Sequence, residues 1–245
     1  MEIVNNKKIL NIKEIDKLFF NRVKTLKNIF KNKDENLVIF DVGAHIGESV
    51  IEFKDCFPNA NIHCFEPAKE SFNKLKNLKF SNIVFNNFAL GEKDTKKMFY
   101  YYDVSSNSSF FPIKTDSKVY INQVHKKLSN IKKVSKYTVE VRTIDTYIRQ
   151  NNIQKIDILK IDVQGYTREV LQGAKRAIES NNIFVLIIEV IFDEIYGRRD
   201  TMYEIEKHLI PYGYKLWDIS HIYKDLNLNR TNWIDVIYIK GDYDA

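Results

Sequence analysis

Three short runs of nearly unbroken apolar residues constrain this chain more than any other feature: Leu37–Val42 (LVIFDV), Ile156–Asp162 (IDILKID) and Phe184–Val190 (FVLIIEV). Such runs predict strands covered on both faces, because a strand with one wet face alternates apolar and polar residues instead. Asn61–Phe65 (NIHCF) and Ile83–Phe88 predict two more strands. Helical segments fall between them. Gly47–Cys56 is one, and a second opens at Pro67, since proline suits a first helical turn, and runs towards Leu78. A third starts near Thr167 and places Val170, Leu171, Ala174 and Ile178 on one face; Met202–Leu209 is a fourth. This alternation predicts an α/β fold with a mostly parallel sheet and helices on both faces. Tyr214–Ile219 and Ile234–Lys240 then follow as two strands, which predicts a terminal antiparallel hairpin.

Two segments stand outside the alternation. In residues 1–36, Ile9, Ile12, Ile15, Leu18, Phe19, Arg22, Val23, Leu26, Ile29 and Phe30 recur at helical spacing and predict an N-terminal helical cap on a main domain of residues 37–245. Residues 97–143 hold two strand-like runs, Lys97–Tyr102 and Tyr137–Arg142, around the polar stretch Ser105–Ser109. They predict an insertion at about 97–136 over the edge of the sheet where a site would lie; the alternative for the serines is a polar surface loop.

Apolar residues make up 44% of the 245 residues and charged residues 29%, which suits one large globular domain. The longest apolar run, Ile183–Ile188, is far below the roughly 20 residues that cross a bilayer, so no membrane span is expected. The lysine-bearing N-terminus has no continuous apolar stretch of the kind that forms a signal peptide. Cys56 and Cys64 fall on core elements and suggest neither a disulfide framework nor a zinc site. A cytoplasmic location is the expectation. The net charge of +6 suits an anionic substrate, but the lysines are spread along the chain, as on solvated faces.

The sharpest motif is Asp41-Val42-Gly43-Ala44-His45-Ile46-Gly47, which ends a predicted strand and opens a predicted helix. Glycines let a backbone turn tightly and approach a ligand closely. The spacing is G-x-x-x-G, not the dinucleotide G-x-G-x-x-G, and the acid just before it would repel a pyrophosphate but suit an ammonium group. Without a ligand, the same residues make a tight strand–helix turn. Glu66 follows at the end of the second strand, where a carboxylate accepts hydrogen bonds from both hydroxyls of a ribose or favours the N-terminus of a helix.

The ordered segments DVGAHIG, CFEP, NFAL, TIDTYI, LKIDVQGY and VLQGA resemble the FkbM-type methyltransferase family over roughly residues 37–190. The resemblance implies a Rossmann-like class I methyltransferase fold, with a seven-stranded, mostly parallel sheet that ends in an antiparallel hairpin. It implies S-adenosylmethionine as cofactor and a hydroxyl of a sugar or polyketide as acceptor. Asp41, Gly43, Ala44, His45 and Gly47 would form the cofactor loop, and Glu66 would hold the ribose. Asn87, Ala89 and Leu90 would edge the adenine pocket, and Asp162 would lie beside the methyl group. Two positions depart from the pattern: His45 stands where the family often has Asn, and Thr167 where it often has Glu.

Transfer to a hydroxyl needs alignment and removal of a proton by a base or with help from a metal. Asp162, Glu189 and His221 are the ionisable residues expected near the carboxyl ends of the strands, where such groups gather. Asp162 and Glu189 are candidate ligands for a divalent metal, although two carboxylates alone favour a metal-free route. His221 titrates near working pH and is a candidate base; the alternative is a loop histidine on the surface. Lys160 shares a strand face with Asp162 and is an unusual residue for a buried strand. His63 reads as structural. The expected acceptor is a small molecule or a nucleotide-linked sugar of surface polysaccharide synthesis. Rival readings are an RNA methyltransferase and a non-catalytic nucleoside-binding relative. The first needs a clustered basic face, and no dense Lys/Arg block is present; the second fits poorly with an intact Asp162 and glycine loop. The oligomeric state is left open.

Overall fold

The computed structural model describes residues 4–5, 8–9, 22–31, 36–114, 134–198, 200–225 and 229–241. In chain order its elements are β1 (Val4–Asn5), β2 (Lys8–Ile9), α1 (Arg22–Ile29), β3 (Val38–Val42), α2 (Glu48–Cys56), β4 (Asn61–Phe65), α3 (Lys69–Leu75), β5 (Ile83–Asn86), β6 (Ala89–Leu90), β7 (Thr95–Tyr102), β8 (Val134–Arg142), α4 (Ile144–Gln150), β9 (Ile156–Ile161), α5 (Thr167–Gly173), α6 (Lys175–Glu179), β10 (Ile183–Ile191), α7 (Met202–Glu206), β11 (Tyr214–Asp225) and β12 (Arg230–Lys240).

Seven strands form the central sheet in the order β11-β12-β10-β9-β3-β4-β5. β5, β4, β3, β9 and β10 are parallel, and β12 lies antiparallel between β10 and β11. The architecture is the class I methyltransferase type of α/β fold, with the expected terminal hairpin. The strands are apolar on both faces because both are covered. Phe40, Val42, Leu159, Ile161, Leu186 and Ile188 point into the larger core, with Tyr147, Val170, Leu171 and Ile205 from the helices over it. Ile39, Ile158, Val185, Ile187 and Ile237 point to the other side, under Leu26, Ile29, Val50 and Phe53 of α1 and α2.

The N-terminal segment differs from the expected continuous helix. Val4–Asn5 pairs antiparallel with Lys8–Ile9, so Ile9 belongs to a two-stranded ladder. Helix is found at Arg22–Ile29, which buries Leu26 and Ile29; the expectation for residues 10–21 and 32–35 lies outside the described residues.

The strand expected at Ile83–Phe88 stops at Asn86, and the chain leaves the sheet to form β6. β6, β8 and β7 make a separate three-stranded sheet; of the expected insertion at about 97–136, residues 97–102 belong to β7 and 134–136 to β8. Residues 115–133 of that insertion lie outside the described residues. Among the described residues no helix is long and apolar enough to cross a membrane.

Candidate active site

The site begins with a steric requirement. After β3 the backbone turns with positive φ at Gly43 (81°), His45 (49°) and Gly47 (101°). A Cβ at Gly43 would stand 1.8 Å from the carbonyl oxygen of Asp162, so only glycine lets this loop pass over the end of β9. A Cβ at Gly47 would stand 2.4 Å from Cδ1 of Leu78. The Gly43 and Ala44 amides both donate to the Phe65 carbonyl at 3.0 and 3.1 Å, which ties the loop to the end of β4.

Asp41 is fully buried behind the loop. It accepts from Ser49 Oγ at 2.6 Å and lies 3.4 Å from Lys160 Nζ. It therefore braces the loop and α2 from behind and does not line the cavity. Glu66, only 6% exposed, lies on the cavity wall. Its two oxygens accept from the backbone amides of His45 (2.9 Å) and Ala68 (2.7 Å). Burial pushes its pKa up to about 8, partly opposed by these two amides. Ala89 and Leu90 line the same end of the cavity, and Asn87 stands off the wall, where Nδ2 donates to the carbonyls of Glu66 (2.9 Å) and Pro67 (3.3 Å).

A second group of side chains comes from β9, β10 and the hairpin. The face that buries Ile39, Ile158, Val185, Ile187 and Ile237 turns charged at its carboxyl end, because residues two apart on a strand share a face. Lys160 Nζ sits 3.3 Å from Asp162 Oδ2. Gln164 Nε2 donates to Asp162 Oδ1 at 3.1 Å and to Glu189 Oε2 at 2.9 Å, joining the two carboxyls through one amide. Burial alone would raise Asp162, but the Lys160 ammonium and the Gln164 amide outweigh it and hold it below the usual carboxylate range. Burial, then the neighbouring Asp162 and Asp235 carboxylates, drive Glu189 well above that range. Glu189 faces Asp235 across the β10–β12 pairing, and Asp235 faces His221 across β12–β11, so the three form a row over three strands. His221 Nδ1 lies 4.0 Å from Asp235 Oδ2, at the exposed end of that row. Arg22 of α1 reaches into the same region, with Nε 2.8 Å from Glu52 Oε1 and a terminal nitrogen 3.6 Å from Asp235.

The insertion closes the cavity from above. Ser105–Asn107 forms a single 3₁₀ turn. Ser105 Oγ is 2.7 Å from His45 Nε2, Ser109 Oγ donates to the Gln164 carbonyl at 2.6 Å, and Tyr196 OH lies 2.8 Å from Gln164 Oε1 and 3.2 Å from the Asn107 carbonyl. The enclosed space measures about 620 Å³, the size of a small-molecule site.

All three residues expected to carry chemistry thus line one cavity, with Asp162 and Glu189 joined directly and His221 set apart at the rim. Gln164, Tyr196, Asp235 and Arg22 are functional neighbours that the sequence reading does not single out. Arg22 reads there only as one position of an apolar stripe. Asp235 stands two residues from Ile237 and so shares its inward face, a signal visible once β12 is placed. Among the described residues no three or more His, Cys, Asp or Glu side chains are grouped to hold a metal ion. The glycine loop, the buried carboxyl at the end of β4 and the cavity volume together fit a nucleoside ligand with a short charged tail.

A family model described as the methyltransferase FkbM domain matches residues 41–216. The hexuronic acid methyltransferase AglP of Haloferax volcanii is 26% identical over 171 residues, covering 69% of this chain and 62% of that protein. The 2-O-methyltransferase NoeI of Sinorhizobium fredii is 24% identical over 151 residues, 58% of each chain. The chain spans about three fifths of the length of the curated relatives it matches. Among solved structures, an FkbM methyltransferase from Methylobacillus flagellatus aligns with a TM-score of 0.54 at 18% identity, over 84% of this chain and 44% of that one, and agrees with the fold.

Proposed function

We propose, for a chain that belongs to the FkbM methyltransferase family, that it transfers a methyl group from S-adenosylmethionine to a hydroxyl of a sugar. The observation that carries this reading is one cavity lined both by the glycine loop with Glu66 and by the Asp162–Gln164–Glu189 chain. The sugar comes from the relatives, one named for hexuronic acid and one for 2-O-methylation.

Residues Gly43–Gly47 would lie along the cofactor, Glu66 would accept from its ribose hydroxyls, and Ala89 and Leu90 would flank its adenine. When bound, S-adenosylmethionine supplies a methyl group on a positively charged sulfur; transfer makes a carbon–oxygen bond, breaks the carbon–sulfur bond and frees the hydroxyl proton. The chain's own work is alignment and proton removal. Asp162, fixed by Lys160 and Gln164, stays ionised and orients Gln164. Glu189 takes the proton, since burial beside two carboxylates makes it a stronger base than an ordinary glutamate.

Labelled S-adenosylmethionine offered with sugars, polysaccharide fragments and RNA tests the acceptor class; transfer to RNA alone overturns it. Glu189→Gln should lower turnover about a hundredfold or more, the usual contribution of a general base, while cofactor affinity stays within a few fold. If that variant keeps full turnover and His221→Ala loses it, the base is His221. Because Glu189 ionises above the ordinary carboxylate range, wild-type turnover should rise as pH increases from the acid side.

A further inference from the structure

Net charge and local charge point in opposite directions in this protein. The chain carries +6 overall, yet the acceptor half of the cavity is walled by the carboxyls of Glu52, Glu189, Asp193 and Asp235. Among the described residues, the cations that line this half are already engaged. Arg22 sits between Glu52 and Asp235, and Lys160 between Asp41 and Asp162. At the rim, Arg230 lies 2.9 Å from Asp193. A phosphate or carboxylate entering here would find no free cation among the described lining residues to pair with, and an unpaired charge in a half-buried space is costly.

The same half presents a flat aromatic surface. Tyr223 and Trp233, paired across β11 and β12, stack with ring centroids 4.6 Å apart and planes 24° apart, and His221 stacks on Tyr223 at 5.6 Å and 14°. All three line the cavity, and Tyr223 is 42% exposed. A half-exposed aromatic row of this kind offers a large rigid apolar contact with polar tips. A pyranose has the matching shape, with an apolar C–H face and a rim of hydroxyls that donate to carboxylates.

Resting on the methyltransferase reading, we infer that the acceptor is a sugar ring bearing neither phosphate nor carboxylate, laid on the Tyr223–Trp233 pair with its reacting hydroxyl towards Glu189. The carboxyls accept from the ring's hydroxyls, and with Arg22 and Lys160 already paired an anionic analogue finds no cation among the described lining residues, so one arrangement supplies attraction and rejection.

The test uses the full chain, labelled S-adenosylmethionine and matched acceptors in the gluco, galacto and manno series: the methyl hexoside, the methyl hexuronoside and the hexose 1-phosphate. Methyl transfer to a neutral hexoside should exceed that to its uronoside and phosphate by at least tenfold in kcat/KM. Tyr223→Ala should raise KM for the neutral hexoside about tenfold, with S-adenosylmethionine affinity by calorimetry unchanged. Equal or better use of a uronoside or a phosphate overturns the inference, as does an unchanged KM in a folded Tyr223→Ala. No cofactor binding, or binding with no transfer to any of these sugars, instead overturns the reading beneath it.

Discussion

Two parts of the cavity wall, the glycine loop with Glu66 on the proposed cofactor side and the residues around Glu189 on the proposed acceptor side, are built by different means. The first is made of backbone: left-handed glycines, amides donating to Phe65 and Glu66, and a loop that crosses β9 where no side chain fits. The second is made of side chains gathered from β9, β10, β11, β12 and α1. Backbone geometry tolerates few alternatives, so the first half is constrained to one solution. Side chains on a fixed sheet can be exchanged without moving it, so the second half is where a family with one cofactor can vary its acceptor.

The contrast can be broken most severely at Lys160, which serves both halves by touching Asp41 on one side and Asp162 on the other. Lys160→Met would leave two carboxylates facing each other without their cation. Removing one partner of a buried pair costs about 3–5 kcal/mol, so urea denaturation should show a loss of that order. A loss below about 1 kcal/mol would mean that the pair is not what joins the halves.

Next in size is Glu66. Loss of hydrogen bonds to a charged group costs roughly 1.5–3 kcal/mol, so above about pH 8, where the carboxylate is ionised, Glu66→Ala should weaken S-adenosylmethionine binding at least tenfold with acceptor KM little changed. The wild type should also show a pH signature. Its carboxyl ionises only near 8 in the free protein, against 4.5 normally. The ionised form accepts from two hydroxyls and the protonated form accepts less well, so affinity should rise as pH increases through about 8 and then level off. Binding below that pH should release protons, measurable by calorimetry in buffers of different ionisation heat. The sign for folding is opposite. A carboxyl whose folded pKa lies above its unfolded one favours the folded state at low pH, so the free protein should lose stability between pH 4.5 and about 8.

The legibility of the two halves follows from the same contrast. DVGAHIG can be read because strand, glycines and helix start are contiguous, and the steric reason for each glycine is local. Glu66 can be read because it ends the very next strand. The row Glu189–Asp235–His221 cannot, since its members meet only through the register of β10, β12 and β11. Arg22 is hidden for a related reason: it occupies a helical-stripe position, and only packing shows that its head reaches Glu52. The helical spacing of residues 1–36 was a weaker guide than the strand runs, as the Val4–Ile9 ladder shows.

The smallest expected effect lies where the halves touch through the insertion. His45 and Ser105 meet at 2.7 Å, the contact that ties the cofactor loop to the 3₁₀ turn over the acceptor. A partly exposed hydrogen bond contributes about 0.5–1.5 kcal/mol. Ser105→Ala should therefore change acceptor KM by no more than about tenfold and leave thermal stability nearly unaltered. A complete loss of turnover would show the turn to be part of the reacting centre instead of a cover.

The order of strands at the hairpin also sets an order of events. β11 precedes β12 in the chain but can join the sheet only through it, because β12 occupies the place beside β10. During synthesis β11 emerges first and has no strand to pair with until Arg230–Lys240 follows, although α1 can already meet it through Thr25 and Asp218. The glycine loop, β4 and β9 already have theirs by then. A growing chain can therefore pair the strands that carry the glycine loop and Glu66 before β12 docks and brings Asp235 opposite Glu189.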